Sequence, residues 1–211
     1  MSWHPVALKI NHYWAMLFFR LAFIPYSINY QYKPKKGEWY IICANHFSFL
    51  DIPALGLLPV TFKFFGKSSL STIPVFGYMY RKIHITVNRS SLTSKKKSFE
   101  KARKALDLGF NLAIFPEGGI FSKNQPEMVS FKEGAFMLAA QKNIPILPVT
   151  FLNNYKLLPD NDQFIINRSR CEIVVHGPVI ANGNTDTSIA ELKTTVFEII
   201  QNQLHVANKI K

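Results

Sequence analysis

Short apolar runs bounded by polar or turn residues recur along this chain and predict buried strands at residues 38–44, 111–115, 144–151 and 171–176. Between them the apolar positions take up a helical period. Residues 95–108 place Phe99, Ala102 and Leu106 on one stripe and stop at Gly109. A final amphipathic helix is predicted from Ser188, whose spacing to Glu191 is that of a capping box, with Leu192, Val196, Ile199, Ile200 and Leu204 facing inward. Residues 153–170 read as a loop-rich connection. Strands alternating with helices predict an α/β fold with a mostly parallel central sheet flanked by helices.

The N-terminal stretch differs in character. Residues 13–24 are apolar on every face except at Arg20, so a helix there is either deeply buried or in lipid. Twelve helical residues cover about 18 Å, short of a bilayer core of about 30 Å, so in lipid the helix would lie in the interface rather than span it. Aromatics at Tyr13, Trp14, Phe18, Phe19 and Phe23, with Lys33, Lys35 and Lys36 following, suit headgroup depth. A signal peptide fits poorly, because no small-residue cleavage site follows; a helix packed on the core is the other reading. The expected organisation is a membrane-associating helical segment at 1–36 and one α/β domain at 37–211.

Two polar signals interrupt the apolar pattern where strands end. The first is Asn45-His46-Phe47-Ser48-Phe49-Leu50-Asp51; the second is Phe115-Pro116-Glu117-Gly118-Gly119. The carboxyl ends of strands are where open α/β sheets bind ligands. A histidine with a carboxylate in reach is the minimum device for taking a proton from an alcohol, with no serine or cysteine nucleophile required. Five residues turn about 140° around a helix, so His46 must sit on the turn before a helix and fold back toward Asp51. Asp51 also fits a capping box with Ser48. The glycine pair lets main-chain N–H groups approach an anion, and Glu117 reads either as a site residue or as a turn carboxylate bonded to nearby amides.

In order and spacing these residues resemble the glycerolipid acyltransferase family, the lysophosphatidic acid and glycerol-3-phosphate acyltransferases. The resemblance runs from about residue 39 to 152. It implies His46 as general base and Asp51 as its orienting partner in the first block. The second block, from Lys67 through Pro74 and Gly77 to Arg89, implies Arg89 and Lys67 as phosphate-binding residues. The third implies acceptor binding by Glu117, Gly118 and Gly119, and the fourth, at 144–149 with Pro145 and Pro148, a wall of the acyl or acceptor site. The helix between the last two blocks begins after Phe131-Lys132-Glu133-Gly134.

One departure concerns the acceptor. Much of the family continues its third block into Thr or Ser and then Arg, whereas Ile120-Phe121 follow here, and the nearby Lys123 offers only a point charge. The implied reaction moves a fatty acyl group from an acyl carrier protein or coenzyme A thioester to a lysophospholipid hydroxyl, that of 1-acyl-glycerol-3-phosphate, in phospholipid biosynthesis. The hydroxyl attacks the thioester directly, without an acyl-enzyme and with no cofactor beyond the thioester co-substrate. O-acylation of a lyso-amino-acid lipid remains open, as does a thioesterase or lipid hydrolase using the same His-Asp pair.

A formal charge of +12 points to an anionic partner. No RNA-binding or helix-turn-helix pattern accompanies it, so an anionic membrane surface is favoured over nucleic acid. The densest cations are Lys95, Lys96 and Lys97, continuing into Lys101, Arg103 and Lys104. They read as a solvated helix face, with attraction to lipid headgroups or docking of the thioester donor as functional uses. Cys43 and Cys171 lie in apolar strand patterns, and two cysteines without metal-ligand spacing place the soluble face in a reducing compartment. Peripheral or monotopic attachment to the cytoplasmic face of the cell membrane follows as the expected location. His84 and His176 read as core histidines.

Overall fold

The computed structural model describes residues 4–35, 37–67, 82–88, 90–161 and 165–209. Its elements in order are α1 (His4–Leu21), β1 (Tyr26–Tyr30), β2 (Ile41–Ala44), α2 (Asp51–Leu55), β3 (Phe62–Lys67), β4 (Ile85–Val87), α3 (Leu92–Asp107), β5 (Asn111–Ile114), α4 (Gly134–Lys142), β6 (Ile146–Phe151), α5 (Asn154–Leu157), β7 (Cys171–Val175) and α6 (Asp186–Lys209). Among the described residues one seven-stranded sheet runs in the order β1-β7-β6-β2-β5-β3-β4, and of its strand pairs only β6–β7 is antiparallel.

Alternation along β2 explains the layering. Ile41 and Cys43 face a core built with α3, α4 and α6, whereas Ile42 and Ala44 face a second core built with α1 and α2. Every residue of β2, β5 and β6 is buried, which is why these strands read as continuous apolar runs. Because β2 is parallel to both β5 and β6, the three strands deliver their carboxyl ends to one edge of the sheet.

Several boundaries differ from the sequence expectation. Residues 26–30 belong to the sheet as β1, paired with β7 from Tyr26↔Cys171 to Tyr30↔Val175, so part of the segment expected at 1–36 is an edge strand of the sheet. Its half-exposed edge position left no apolar run to read. Helix α3 starts three residues early because the Ser91 side chain accepts from Ser94 N and caps it. Thr185, not Ser188, caps α6: its hydroxyl accepts from Ser188 N, and Ile199 is only half-buried.

Helix α1 packs on the core along one stripe and leaves its other apolar residues exposed. Leu8, Ala15 and Phe19 are buried, while Tyr13, Trp14, Leu17 and Leu21 on the same helix, and Phe23 just after it, are exposed. Contact with α2 is close enough that His12 Nδ1 donates to the Gly56 carbonyl at 2.9 Å. A Cβ on Gly56 would sit 2.8 Å from the Ala15 Cβ and 3.1 Å from the Pro53 carbonyl. Gly56→Ala is therefore expected to force α1 away from α2 and cost about 1–3 kcal/mol. Thermal unfolding checks this, and an unchanged midpoint would mean that α1 does not need the close approach.

Candidate active site

The first polar signal lies on the turn between β2 and α2. Continuing the register Cys43↔Ile114 by three residues brings His46 level with Glu117, and the two are joined: His46 N donates to Glu117 Oε1 at 2.7 Å. Asn45 fixes the turn from the other side. Its side-chain amide donates to Phe151 O at 3.0 Å and accepts from Phe151 N at 2.8 Å, extending the β2–β6 pairing by one rung. Ser48 Oγ donates to Leu158 O at 2.7 Å and accepts from Leu50 N at 3.1 Å.

Asp51 is fully buried and accepts four hydrogen bonds. Phe47 N, Ser48 N and His46 Nδ1 donate to Oδ2 at 2.8, 2.9 and 3.1 Å, and Asn154 Nδ2 donates to Oδ1 at 2.9 Å. The Ser48 N bond is the returning half of a capping box, so Asp51 caps the turn and holds the imidazole with one oxygen. With Nδ1–H donating to Asp51, Nε2 is the nitrogen left to take a proton. Nε2 has no hydrogen-bond partner among the described residues, and the ring stacks on Phe115 with centroids 4.0 Å apart.

Glu117 is the second buried carboxylate, 1 % exposed. Its Oε2 accepts from Val129 N at 3.1 Å, so both readings of this residue meet in one side chain: it is a turn carboxylate, and the amide it binds is that of His46. Burial pushes its pKa up to about 7, partly offset by the two N–H bonds, with the nearby Asp51 charge adding to the rise. The turn closes through Gly118 N to Phe115 O at 3.0 Å and requires φ +86° at Gly118.

A cavity of about 390 Å³ is walled by Phe65, Val87, Phe99, Ile114, Phe115 and Leu138, with Gly118, Lys95 and Lys132 among its lining. A second, of about 430 Å³, is bounded by Ile120, Phe121, Lys123, Tyr155 and Asp160.

The structure thus brings His46, Asp51, Glu117 and Gly118 together, with Gly119 next in the turn under the Phe121 ring. Lys67 ends β3, two residues past the Phe65↔Ile114 pair and so level with Pro116 by register. Arg89 lies outside the described residues, as do Pro74 and Gly77. Cys43 is buried in β2, where burial pushes its thiol pKa up and keeps it protonated. His84 Nδ1 accepts from Phe64 N, and His176 pairs with Thr150 and Gln31; burial lowers both pKa values to about 4. Sequence reasoning missed Asn154 and the Phe115 stack. No local signal marks Asn154, which reaches Asp51 across 103 positions.

A family model described as Acyltransferase matches residues 27–152, more than half of the chain. The chain belongs to the acyltransferase family. Among its relatives are a 1-acyl-sn-glycerol-3-phosphate acyltransferase of Chlamydomonas reinhardtii, 32 % identical over 84 % of this chain and 53 % of the relative. The chloroplastic enzyme of the same name from Arabidopsis thaliana is 28 % identical over 92 % of this chain and 55 % of its own length. The chain therefore spans about half the length of these curated relatives. The crystal structure of the 1-acyl-sn-glycerophosphate acyltransferase PlsC from Thermotoga maritima shares the fold, with a TM-score of 0.78 at 23 % identity over 95 % of this chain and 79 % of that one. Both polar signals and the apolar segment of β6 fall inside the stretch matched by the family model.

The Glu117 shift carries a pH signature. The folded chain keeps a proton on Glu117 up to about pH 7, whereas the unfolded chain releases it near the ordinary 4.5. The unfolded state then binds fewer protons between those values, so stability falls as pH rises from about 4.5 to about 7. Glu117→Gln removes this contribution and flattens the slope, at the cost of one main-chain N–H bond of about 1 kcal/mol. Urea midpoints measured across that window check it, and an equally steep fall in the variant would assign the proton elsewhere.

Proposed function

We propose that this chain transfers a fatty acyl group from an acyl thioester to the free hydroxyl of a lysophospholipid, 1-acyl-glycerol-3-phosphate, at a membrane surface. The observation that carries the reading is His46, with Nδ1 committed to a saturated, buried Asp51 and Nε2 unbonded among the described residues. The names borne by the relatives supply the acceptor.

Nε2 takes the proton of the acceptor hydroxyl as its oxygen attacks the thioester carbonyl, and Asp51 stabilises the imidazolium that forms. Collapse of the tetrahedral intermediate expels the thiolate, which receives the proton from His46. The product is a diacyl lipid and a free thiol. Lys67, Arg89, Glu117, Gly118 and Gly119 belong to acceptor binding in this reading; Glu117 contributes by fixing the His46 amide and the following turn.

Attachment to the surface is assigned to the outer face of α1. Tyr13 at 70 % and Phe23 at 92 % exposure, with Trp14, Leu17 and Leu21, form an apolar face with an aromatic share suited to headgroup depth. No helix among the described residues is long and apolar enough to cross a membrane.

Lipid product analysis by mass spectrometry tests the reaction. With an acyl-coenzyme A or acyl carrier protein thioester and 1-acyl-glycerol-3-phosphate, diacyl product is expected, and His46→Ala is expected to lose at least about a hundredfold in turnover. Free fatty acid as the only product, or product unaffected by the substitution, would overturn the reading. For the surface, Trp14→Ser combined with Phe23→Ser is expected to reduce co-sedimentation with anionic vesicles by about tenfold or more at unchanged fold; unchanged binding would move the attachment elsewhere.

A further inference from the structure

The third block lacks its usual cation, since Ile120 and Phe121 follow the glycine pair. Lys123 does not replace it within the Phe115 cavity: it lines the second cavity, which also includes Asp160. Another lysine does reach the turn. Lys132 N donates to Pro116 O at 2.9 Å, which anchors its backbone beside the turn. From there its side chain crosses Gly118. A Cβ at that glycine would meet Lys132 Nζ at 2.6 Å, Cε at 2.8 Å and Cδ at 3.1 Å. Gly118 therefore supplies room for this ammonium as well as the positive φ of the turn.

The charge at this point is left without a counter-ion. Both oxygens of Glu117 accept main-chain N–H bonds, and Glu133, next to Lys132 in sequence, pairs with Lys193 at 3.1 Å. Lys132 has no carboxylate partner among the described residues; its ammonium lies 5.7 Å from the Phe121 ring centroid. Lys95, from the first turn of α3, lines the same cavity, whose remaining walls include Phe65, Val87, Phe99 and Leu138. Two ammonium groups on an otherwise apolar cavity fit an amphiphile with an anionic end.

We infer that Lys132, assisted by Lys95, binds the phosphate monoester of the acceptor and takes over the role of the cation missing after Gly119. The inference rests on the acyl-transfer reading above and adds the residues that select a phosphate-bearing acceptor. A lysine serves a rotating phosphate as a point charge, without the bidentate geometry an arginine imposes. The position of the ammonium beside Gly118, one residue from Glu117 and so from the His46 amide, puts the anion site next to the catalytic turn.

The test measures KM for 1-acyl-glycerol-3-phosphate, for uncharged 1-acyl-glycerol and for the coenzyme A thioester in wild type, Lys132→Ala, Lys132→Arg and Lys95→Ala. Equilibrium binding of 1-acyl-glycerol-3-phosphate is measured in parallel, and thermal unfolding checks that each variant folds. Lys132→Ala is expected to raise KM and the dissociation constant for the phosphate acceptor by about ten- to a hundredfold, leaving the thioester KM in place. Lys132→Arg should recover most of the loss, and Lys95→Ala should produce a smaller rise of the same kind. An unchanged phosphate-acceptor KM in Lys132→Ala would overturn the inference. So would a rise confined to the thioester, which would assign the lysine to the phosphates of coenzyme A, or an equal rise for the uncharged acceptor. If wild type forms no diacyl product at all, the acyl-transfer reading fails, and the binding series alone then decides whether Lys132 holds the phosphate.

Discussion

A carboxylate with no exposure must have its lone pairs filled, and the way Asp51 fills them ties the turn carrying His46 to the sheet. Three donors to one oxygen come from residues 46–48, so the turn is rigid by local bonding. The donor to the other oxygen comes from Asn154, just after β6. That bond exists only when β2 and β6 are paired, and Asn45 secures the same pairing through Phe151. Removing the carboxylate would strand two main-chain N–H groups and a side-chain amide in the interior, each costing about 1–3 kcal/mol. The bond from Ser48 N and the bond from His46 Nδ1 converge on one oxygen, so the turn reading of Asp51 does not compete with the proposed catalytic one.

What was legible in the sequence follows from the range of each interaction. Strands β2, β5, β6 and β7 carry buried runs and read directly. Strands β1 and β3 did not. β1 is a half-exposed edge, and β3 carries Lys63 and Lys67; Lys63 bonds the Ile83 carbonyl and lies over Phe110, a use of lysine that no local pattern predicts. In the site, His46 and Asp51 are five residues apart, and Glu117 stands in a turn of distinctive composition, so all three could be singled out. Asn154 and the partner of Asn45 are more than a hundred positions from what they hold, and their importance arises only from the strand order.

The N-terminal helix shows why apolarity on all faces was ambiguous. One stripe of α1 fills the core above α2, where Gly56 permits backbone-close packing, and the opposite side leaves Tyr13, Trp14 and Leu17 exposed. A helix needed only for the core would carry polar residues there. A helix needed only for a surface would not require Ala15 and Phe19 to be buried to 0 and 1 % exposure. Core packing accounts for one stripe of α1, and the surface attachment proposed above would use the other; the packing on α2 places the helix beside the element that follows the His46 turn.

Acidic and basic side chains are treated differently near Phe115. Asp51 and Glu117 are both turned inward and saturated by N–H donors, so neither carboxylate is available to draw a lysine toward the imidazole. Lys95 and Lys132 line an apolar cavity with no carboxylate among its described lining residues. Had either carboxylate been free in the cavity, the nearest ammonium would pair with it and leave no cation for an anionic ligand. Burying the carboxylates in main-chain bonds therefore serves two ends at once: it fixes the geometry of His46, and it keeps the cationic rim of the cavity uncompensated.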